Sequence, residues 1–512
     1  MKKKKSESRA TTIIYRYVPI LFTILVTIFS ILIFYIAKGY TFDIYNKEIL
    51  KNGAIYIKSS PSGANILLNG KSLGKSPKSK IVTVGNYKLE MEKDGYNKWE
   101  KDIKILEERS TILNPWLILK DIKRNTVWSS EKSLENLWVS EEKNIALILL
   151  KEPTGEYSLW RYRIERAIWD ISDNPSKIWD TTNADINILL APNGSYALLT
   201  INKSSDPSYY LLNTSTSFTP TLANSIDTDK IKGSKVTWAR DSKHILIESD
   251  KQIISYSITD KLAYNLINKI KDVNYIWTSS YDSYFYIVNK QEERYPGIYT
   301  YSMNSIFLDG AAETPFITEI NLQKDLRYIE YYRADLQKEK AIPFTNSPQS
   351  TQSVGEIKSI YIDKNAGGFF ISTTAAAYWY DVQSRTYLMI SPYPAEFLEF
   401  SADKTFLMYE SMEKIYTFTI KKVALDHTNE IGSLLFPNIT KGEAPKLINN
   451  SPYISYIADG TIYFMDRDGD NKTKIIPSSL IDFYMVKFSK DALLTFEKDD
   501  MGLFHINEYR LQ

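Results

Sequence analysis

Three closely spaced aspartates, Asp466, Asp468 and Asp470 in the run DRDGD, are the residues whose spacing could bind a metal ion. Carboxylates at alternate positions are typical of calcium loops. An EF-hand loop counted from Asp466 requires glycine at position six and glutamate at position twelve, but Gly469 is at position four and Pro477 at position twelve. The EF-hand interpretation therefore fails, and a tight Asp-Gly hairpin turn explains the run. We therefore expect no cofactor and no bound metal, and these three aspartates would be the candidates if a metal were bound.

The sequence contains few of the cysteine and histidine side chains that often act as nucleophiles or as general acids and bases. The chain has no cysteine, which excludes disulfides, thiolate metal sites and cysteine nucleophiles, and it has 3 histidines: His244, His427 and His505. The histidines are far apart in sequence and match no metal-binding spacing. His244 precedes the apolar run ILIE, where a structural role is expected. Spacing alone leaves a Ser-His-Asp triad or a carboxylate pair open, because such sites assemble in space. No particular set is indicated, so we expect no catalytic residues.

The run GKSLGKS, which starts at Gly70, resembles two catalytic motifs but lacks the context of either. GKSLG fits the G-x-S-x-G pattern of a hydrolase nucleophile elbow, yet it lies between two predicted strands instead of a strand and a helix. A phosphate-binding P-loop needs four residues between its glycines, but only three separate Gly70 from Gly74, and Pro77 prevents a following helix. Both catalytic interpretations are rejected.

The N-terminus predicts a membrane anchor. Residues 18–37 read VPILFTILVTIFSILIFYIA with no charge, and about 20 apolar residues span the hydrocarbon core of a bilayer as a helix. Six basic residues precede the run and few follow it, which places the N-terminus in the cytoplasm. A cleaved signal peptide is the alternative, but the run is long and no A-x-A site follows. We expect a cytoplasmic tail at 1–16, a transmembrane helix at 17–38 and a linker at 39–52.

Residues 53–115 predict a small β-sandwich. Short alternating strands are expected at 54–58, 65–68, 80–84, 87–93 and 99–106, with 80–84 paired to 87–93. The stretches SSPSGANILLNGKSLGKSP and VGNYKLEMEKDGYNKW resemble the PEGA domain, a small surface β-sandwich named for a Pro-Glu-Gly-Ala turn. That resemblance implies a cell-surface module of prokaryotic envelope proteins and no catalysis. The residues that carry it are Pro61, Gly63, Ala64, Asn69, Gly70, Gly85, Gly95 and Tyr96.

Residues 116–512 predict a β-propeller. Short β-rich runs recur every ~40–50 residues, each with an apolar strand, a polar turn, a strongly apolar strand and an aromatic-rich strand. The phrases FSADKTFLMY, FSKDALLTF, APNGSYALL and WARDSKHILI resemble TolB-like and WD40-like propeller repeats. About eight blades are expected, with seven to nine possible, because residues 305–356 do not divide cleanly into strands. The fold class is thus an all-β ectodomain, sandwich plus propeller, on one transmembrane helix.

These features predict a bacterial protein of the cytoplasmic membrane, single-pass, with its C-terminal domains outside. The propeller rim would bind an envelope protein, a peptide or a cell-wall glycan without catalysis. A net charge of +2 and the absence of basic tracts beyond the N-terminus argue against nucleic acid. An extracytoplasmic propeller hydrolase or lyase is the alternative, and acids clustered with Arg or His at the channel mouth would favour it. A sensor or assembly factor is a third option.

Overall fold

The structure is a computed structural model of the 512-residue chain. It describes residues 9–512 apart from 38–39, 44–47, 108–109, 143, 165–173, 184, 203–206, 220–233, 272–274, 280–282, 296–297, 312, 321–355, 364–365, 392, 402–403, 405, 413, 421–433, 437–445, 448–452, 459–460, 467–469, 478–479 and 487–491. The described residues are all-β after one N-terminal helix, which confirms the all-β part of the predicted class. The contacts divide the chain into two units, one comprising Met1–Asp121 with Gln512 and the other Ile122–Leu511.

The N-terminal helix, α1, runs over Arg9–Ala37. Pro19 lies inside it, ten residues after its start, and not in its first turn as the apolar run alone would place it. Among the described residues, no helix is long and apolar enough to cross a membrane. The transmembrane helix expected at 17–38 therefore stays a prediction.

The first unit contains eight strands in two sheets. In chain order they are β1 Tyr40–Asp43, β2 Glu48–Ile57, β3 Asn65–Leu68, β4 Lys71–Lys75, β5 Lys78–Thr83, β6 Gly85–Glu92, β7 Trp99–Ile105 and β8 Ser110–Leu113. One sheet has the order β1-β2-β5, with β8 also paired to β2, and the other has the order β4-β3-β6-β7. Alternate side chains of both sheets, such as Ile55, Ile66 and Leu89, are buried in one shared core.

The predicted pairing of strand 80–84 with strand 87–93 is wrong. β5 pairs with β2, whereas β6 pairs with β3 and β7, so the two consecutive strands belong to different sheets. Only Val84 separates them, and the side-chain hydroxyl of Tyr87 donates to the carbonyl of Thr83 at 2.9 Å. The chain thus crosses from one sheet to the other at this point, instead of turning back as a hairpin.

The second unit consists of antiparallel sheets that we call blades 1 to 8. Their strands are β9 Lys123–Val139, β10 Ile145–Lys151, β11 Tyr157–Arg163 and β12 Ser176–Thr181 in blade 1; β13 Ile186–Leu190, β14 Tyr196–Ile201 and β15 Ser208–Asn213 in blade 2; β16 Lys235–Trp238, β17 His244–Glu248, β18 Gln252–Ser257 and β19 Ala263–Asn268 in blade 3; β20 Tyr275–Ser279, β21 Ser283–Tyr295, β22 Ile298–Phe307 and β23 Glu313–Ile320 in blade 4; β24 Ile357–Asp363, β25 Gly368–Thr373, β26 Ala377–Asp381 and β27 Thr386–Ser391 in blade 5; β28 Ala395–Phe400, β29 Phe406–Ser411, β30 Lys414–Thr419 and β31 Leu434–Phe436 in blade 6; β32 Lys446–Leu447, β33 Tyr453–Ala458, β34 Thr461–Asp466 and β35 Thr473–Pro477 in blade 7; and β36 Leu480–Val486, β37 Ala492–Lys498 and β38 Leu503–Arg510 in blade 8.

Successive blades pack face to face. Leu147 and Leu159 of blade 1 contact Ile188 and Leu199 of blade 2 in one buried cluster. Equivalent clusters join blade 2 to 3, 3 to 4, 4 to 5, 5 to 6 and 6 to 7. A single blade exposes two apolar faces, so each is buried only when a neighbour lies on either side. This arrangement explains why both alternating sets of residues in the second strands are apolar.

One long strand closes the ring. The N-terminal part of β9 pairs with β38, with Lys123 opposite Arg510, and its C-terminal part pairs with β10. β9 is therefore the outermost strand of blade 8 and the innermost strand of blade 1. A further cluster, with Ile148 and Phe496 at its centre, packs blade 8 on blade 1. Cyclic packing closed by the two ends of the unit defines a β-propeller, and the described residues form eight blades.

The uncertain stretch 305–356 is partly resolved into strands. β22 and β23 of blade 4 cover residues up to Ile320. Residues 321–355 lie outside the described residues, and with them all but the last residue of the run IPFTNSPQSTQSVGE (342–356), which the sequence predicts as a surface loop.

Candidate functional site on the propeller rim

The turns between the first and second strands of the blades lie at one end of the propeller, which we call the first rim. Because neighbouring strands run antiparallel, the segments that follow the third strands lie at the same end. Residues 140–144 and 191–195 are such turns in blades 1 and 2, and Thr214 follows the third strand of blade 2. Turns between second and third strands, such as 152–156, lie at the opposite rim.

The sequence of β11 places two arginines at the first rim, between blades 1 and 2. Side chains alternate along a strand, so Tyr157, Leu159, Arg161 and Arg163 point to one side. Tyr157 and Leu159 are buried against blade 2, whereas Tyr162 points the other way into the blade 8 contact. The side that faces blade 2 is therefore apolar in the middle of the strand and cationic at the rim.

These arginines line a polar pocket of about 550 Å³ between blades 1 and 2. Its walls come from the strand ends and turns of both blades. The lining residues are Asn144, Ile145, Arg161, Arg163, Asn193, Ser195, Tyr196, Asn213, Thr214 and Ser215.

Close approach of the two blades fixes the floor of the pocket. Gly194 has a φ of +72°, and a Cβ atom at this position would lie 2.6 Å from the Cβ of Ile145. The Thr214 hydroxyl donates to the Gly194 carbonyl at 2.6 Å. Arg161 Nη1 donates to the Thr214 carbonyl at 3.0 Å, which ties blade 1 to blade 2 directly beneath the opening. The pocket is thus held by contacts within and between the blades.

The chemical character of the pocket is that of a hydrogen-bonding site with positive charge. Two guanidinium groups supply planar sets of N–H donors, while asparagine, serine and threonine side chains both donate and accept. None of the described residues that line the pocket carries a carboxylate, although Asn144 Nδ2 donates to Glu142 Oε2 at 3.1 Å beside it. Such a lining can bind an anionic or polyhydroxylated group.

The centre of the same rim is crossed by an ion cluster formed by Glu141, Arg240, Asp363 and Lys404. Arg240 of blade 3 donates to the Ile362 carbonyl of blade 5 at 3.0 Å, and its guanidinium lies 3.9 Å from Asp363 and 3.9 Å from Glu141 of blade 1. Lys404 of blade 6 approaches Asp363 at 2.9 Å. Blades 3 and 5 are not neighbours, so these contacts are possible only across the mouth of the central channel.

This ion cluster consists of mutual pairs, and Asp363 is only 11% exposed. Acids do meet arginine at the channel mouth, as the alternative hydrolase or lyase function requires. However, the carboxylate of Asp363 is engaged by two cations of the protein itself. The arrangement joins four blades, while the open pocket lies to one side, between blades 1 and 2.

Two of the three histidines are hydrogen-bonded to aspartates. His505 Nδ1 and the Ser129 hydroxyl are 2.9 Å apart, and His505 Nε2 lies 3.1 Å from Asp499 Oδ2. Hydrogen bonding by His505 is the main cause that lowers the pKa of Asp499 below 3.8. The other Asp499 oxygen accepts from the backbone amides of Met501 and Leu503.

The order Ser129–His505–Asp499 matches a catalytic triad in residue type, but its position indicates a structural role. Ser129 and His505 lie directly opposite each other on β9 and β38, the two strands that close the ring. The chain of hydrogen bonds thus ties the N-terminal strand of the propeller to its C-terminal strand. His244 likewise contacts Asp241 within its own turn, and His427 lies outside the described residues.

Of the three aspartates named as metal candidates, Asp466 and Asp470 lie among the described residues, where they close a turn. Asp466 is only 5% exposed at the end of β34, and its Oδ2 accepts from Asn471 Nδ2 at 2.9 Å. Its backbone amide donates to the Asp470 carbonyl at 2.9 Å, which closes a turn. Asp468 lies outside the described residues. Within the part of the chain that the structure describes, no three potential metal ligands cluster.

The predicted motif residues of the first unit shape its turns. Asn69 and Gly70 have φ values of 47° and 75°, as a type I′ hairpin requires, and Gly63 has a φ of 84°. Ala64 is fully buried, and its carbonyl accepts from the Ser76 amide at 2.9 Å. The peptide bond before Pro61 is cis, and Gly85 is the first residue of β6. Gly95 has a φ of 83°, and the next residue, Tyr96, forms a β-bridge with Leu119.

Ser72, the serine of the GKSLG run, lies within β4, where its side-chain oxygen accepts from the Gly74 amide at 3.3 Å. That strand position agrees with the rejection of a hydrolase elbow.

Comparison with known families identifies the first unit. Residues 52–117 match the PEGA domain. This match confirms the resemblance read from the Pro-Ser-Gly-Ala turn and the later Asn-Gly. No curated protein sequence matches the chain.

Solved structures similar to the chain include the WD40 domain of SCAP from fission yeast, with 12% identity over 76% of this chain and 98% of that one, at a TM-score of 0.40. An oligogalacturonate lyase from Vibrio parahaemolyticus shares 9% identity over 76% and 98% of the two chains, with a TM-score of 0.37. The Cps50 (Swd1) β-propeller domain of Myceliophteria thermophila shares 10% identity over 64% and 95%, with a TM-score of 0.34. The propeller assignment itself rests on the blade packing and the closing strand.

Sequence reasoning missed the pocket and the ion cluster. The signal for the pocket was present in LWRYR, where alternation places Arg161 and Arg163 on the side of Leu159. The signal for the ion cluster was absent, because Glu141 and Arg240 are 99 residues apart and Asp363 follows Arg240 by another 123 residues.

Proposed function

We propose that this chain is a membrane-attached bacterial envelope protein that binds an extracytoplasmic partner, a protein, peptide or glycan, through the first rim of its propeller. The observation that carries the proposal is the arginine-lined pocket between blades 1 and 2. Small-ligand sites in proteins have volumes of about 300–1,000 Å³ and a few converging polar groups, and this pocket has both properties.

The chemistry of the pocket supports binding without turnover. Hydrolases and lyases most often use histidine or carboxylate side chains as acid and base, and the described residues that line the pocket include neither. The PEGA domain supports the same interpretation, since its resemblance implies a surface module of envelope proteins. We therefore propose a binding or scaffold role and no catalysis.

Membrane attachment is proposed through α1. The support is the uncharged run 18–37, the preceding basic residues and the exposure of apolar side chains on the helix, including Leu21 at 68% and Phe22 at 66%. Apolar side chains that remain exposed over several turns favour contact with lipid or another apolar surface. The basic residues before the helix favour a cytoplasmic N-terminus.

Topology is tested by adding protease to intact cells that express the chain with a C-terminal tag. Loss of the tag with protection of an N-terminal epitope is the expected result. A tag that is protected until the cells are lysed would invert the topology and would overturn the envelope assignment.

Binding is tested by co-sedimentation of the full-length chain, in detergent, with isolated envelope fractions of the expressing cells. We expect retention that falls when Arg163 is replaced by Gln but not when Lys243 is. Lys243 is an exposed cation of the first rim in blade 3, outside the pocket lining, so Lys243→Gln removes the same charge elsewhere. Equal retention of both variants would refute the pocket as the binding site.

A hydrolase is the second candidate function, favoured by the Ser129–His505–Asp499 chain alone. It predicts hydrolysis of activated esters by the full-length chain and its loss in Ser129→Ala. We expect no such activity, and a Ser129-dependent burst of product would contradict the non-catalytic assignment.

A further inference from the structure

We infer that the rim pocket takes an anionic sugar unit, in which ring hydroxyls accompany a carboxylate or phosphate group. This inference rests on the proposed binding function and names the class of ligand.

The charge of the pocket favours an anion. Arg161 and Arg163 both line it, and no described lining residue carries a carboxylate. One carboxylate, that of Glu142, accepts from Asn144 Nδ2 at 3.1 Å beside the lining, so the two guanidinium groups outnumber it. Guanidinium groups bind carboxylates and phosphates through paired N–H donors, more strongly than neutral hydrogen bonds do. The hydrogen bond from Arg161 to the Thr214 carbonyl holds its side chain at the wall, so the guanidinium is positioned before a ligand arrives.

The remaining lining favours hydroxyl groups on the ligand. Asn144, Asn193 and Asn213 supply amides, and Ser195 and Ser215 supply hydroxyls. These groups both donate and accept hydrogen bonds, and a sugar hydroxyl does the same. Tyr196 adds an aromatic surface to the wall, against which the apolar face of a sugar ring can pack.

The size of the pocket favours a sugar unit over a protein surface. A volume of about 550 Å³ holds one or two rings, whereas a stable protein interface is broad and is centred on buried apolar anchors. An acidic peptide would satisfy the arginines but would leave the amides and hydroxyls with fewer partners. The pocket therefore fits an acidic sugar better than an acidic side chain.

Calorimetric titration of the full-length chain in detergent tests this inference with four probes: a glucuronic acid trimer, the neutral glucose trimer of the same linkage, glucose 6-phosphate and a hexaglutamate peptide. We expect the glucuronic acid trimer or glucose 6-phosphate to bind at least about tenfold more tightly than the neutral trimer and the peptide. The two anionic probes distinguish a carboxylate ligand from a phosphate ligand. Added salt should weaken binding.

Variants assign the effect to the pocket. Arg163→Gln should weaken binding of the anionic probe about tenfold, and Lys243→Gln should not change it. Arg163→Lys should weaken binding by an intermediate factor, because lysine keeps the charge but lacks the paired N–H donors of a guanidinium group. Circular dichroism and the thermal midpoint of each variant check its folding, and Arg163 is exposed.

Three outcomes would overturn the inference. Equal affinity for charged and neutral trimers would refute the preference for an anionic ligand. Peptide binding as tight as sugar binding would refute the preference for a sugar. Binding of none of the probes, with Arg163-dependent retention on envelope fractions intact, would refute the ligand class while the proposed function stands. Loss of that retention would refute the proposed function itself.

Discussion

Replacement of Gly194 by alanine tests the close approach of blades 1 and 2 beneath the rim pocket. Gly194 has a φ of +72°, and a left-handed conformation costs a non-glycine residue roughly 1–2 kcal/mol. Its Cβ would also lie 2.6 Å from Ile145 Cβ and 2.7 Å from Ile145 Cγ1. Ile145 Cβ is fixed to the backbone of β10, so the blades must separate, and overpacking of this kind costs about 1–3 kcal/mol more.

Gly155→Ala is the matched control. Gly155 has a φ of +88°, but no atom lies within 4 Å of the added Cβ, so only the backbone cost applies. We expect Gly194→Ala to be destabilised by about 2–4 kcal/mol and Gly155→Ala by about 1 kcal/mol, after allowance for the loss of unfolded-state entropy. Urea unfolding followed by tryptophan fluorescence measures the free energy of unfolding of both variants. Retention on envelope fractions measures binding through the pocket.

The difference between the two variants isolates the contact between blades. If Gly194→Ala is no less stable than Gly155→Ala, the blades do not approach each other at Ile145 as described. If it is less stable but binds envelope fractions as well as the wild type does, the pocket floor does not shape the binding site.

Three further predictions concern the ring. Asp499→Asn should lower the unfolding midpoint at pH 6. Because the pKa of Asp499 is lowered on folding, its stabilisation is present above pH 3.8 and is lost as the pH falls through the folded-state pKa. The stabilities of wild type and variant should therefore converge in acid, and a difference that does not change with pH would refute the assigned charge. Arg240→Gln should lower the free energy of unfolding in urea by about 1–2 kcal/mol, mostly through the lost hydrogen bond to the Ile362 carbonyl. A double-mutant cycle with Asp363→Asn should give a coupling energy below about 1 kcal/mol, because the charged groups of that pair are 3.9 Å apart. A larger coupling energy would show that the ion pair dominates. Leu199→Ala, at a fully buried site between blades 1 and 2, should cost about 2–5 kcal/mol, and a loss below 1 kcal/mol would contradict the face-to-face packing.

Local sequence patterns predicted most of the strands but not their partners. The alternation and the Asn-Gly pair at residues 65–70 specify β3 and the turn after it, because both signals are contained in a few adjacent residues. The pairing of β5 with β2 depends on contacts between distant segments. The pair Gly85-Asn86 looks like a hairpin turn in the sequence, although the chain passes from one sheet to the other there.

The ring closure illustrates the same limit on a larger scale. The repeat pattern places only the end of β9, from Leu137, in a predicted strand, and nothing in residues 123–136 shows that one strand serves both blade 1 and blade 8. That dual role follows from the register of Lys123 with Arg510, two residues at opposite ends of the unit. The blade count could be predicted from the repeats, whereas the closing strand required the fold.

The candidate site shows which functional residues are accessible to sequence reasoning. The spacing of Arg161 and Arg163 places both on one side of β11, but the identity of the facing blade decides that this side is a pocket wall. Conversely, the aspartates of DRDGD have the composition of a calcium site, while Asp466 and Asp470 close a turn. The composition of this run therefore indicated metal binding, whereas Asp466 and Asp470 close a turn of the backbone.

The most direct test of the account places a photo-reactive diazirine amino acid at Ser195 of the full-length chain in living cells. Ser195 is an exposed residue of the pocket lining, and Asp500, an exposed turn residue at the opposite rim, is the matched control position. We expect a covalent adduct with envelope material from position 195 that is lost in Arg163→Gln, and none from position 500. Adducts from position 500 alone, or from neither position, would contradict binding through the first rim.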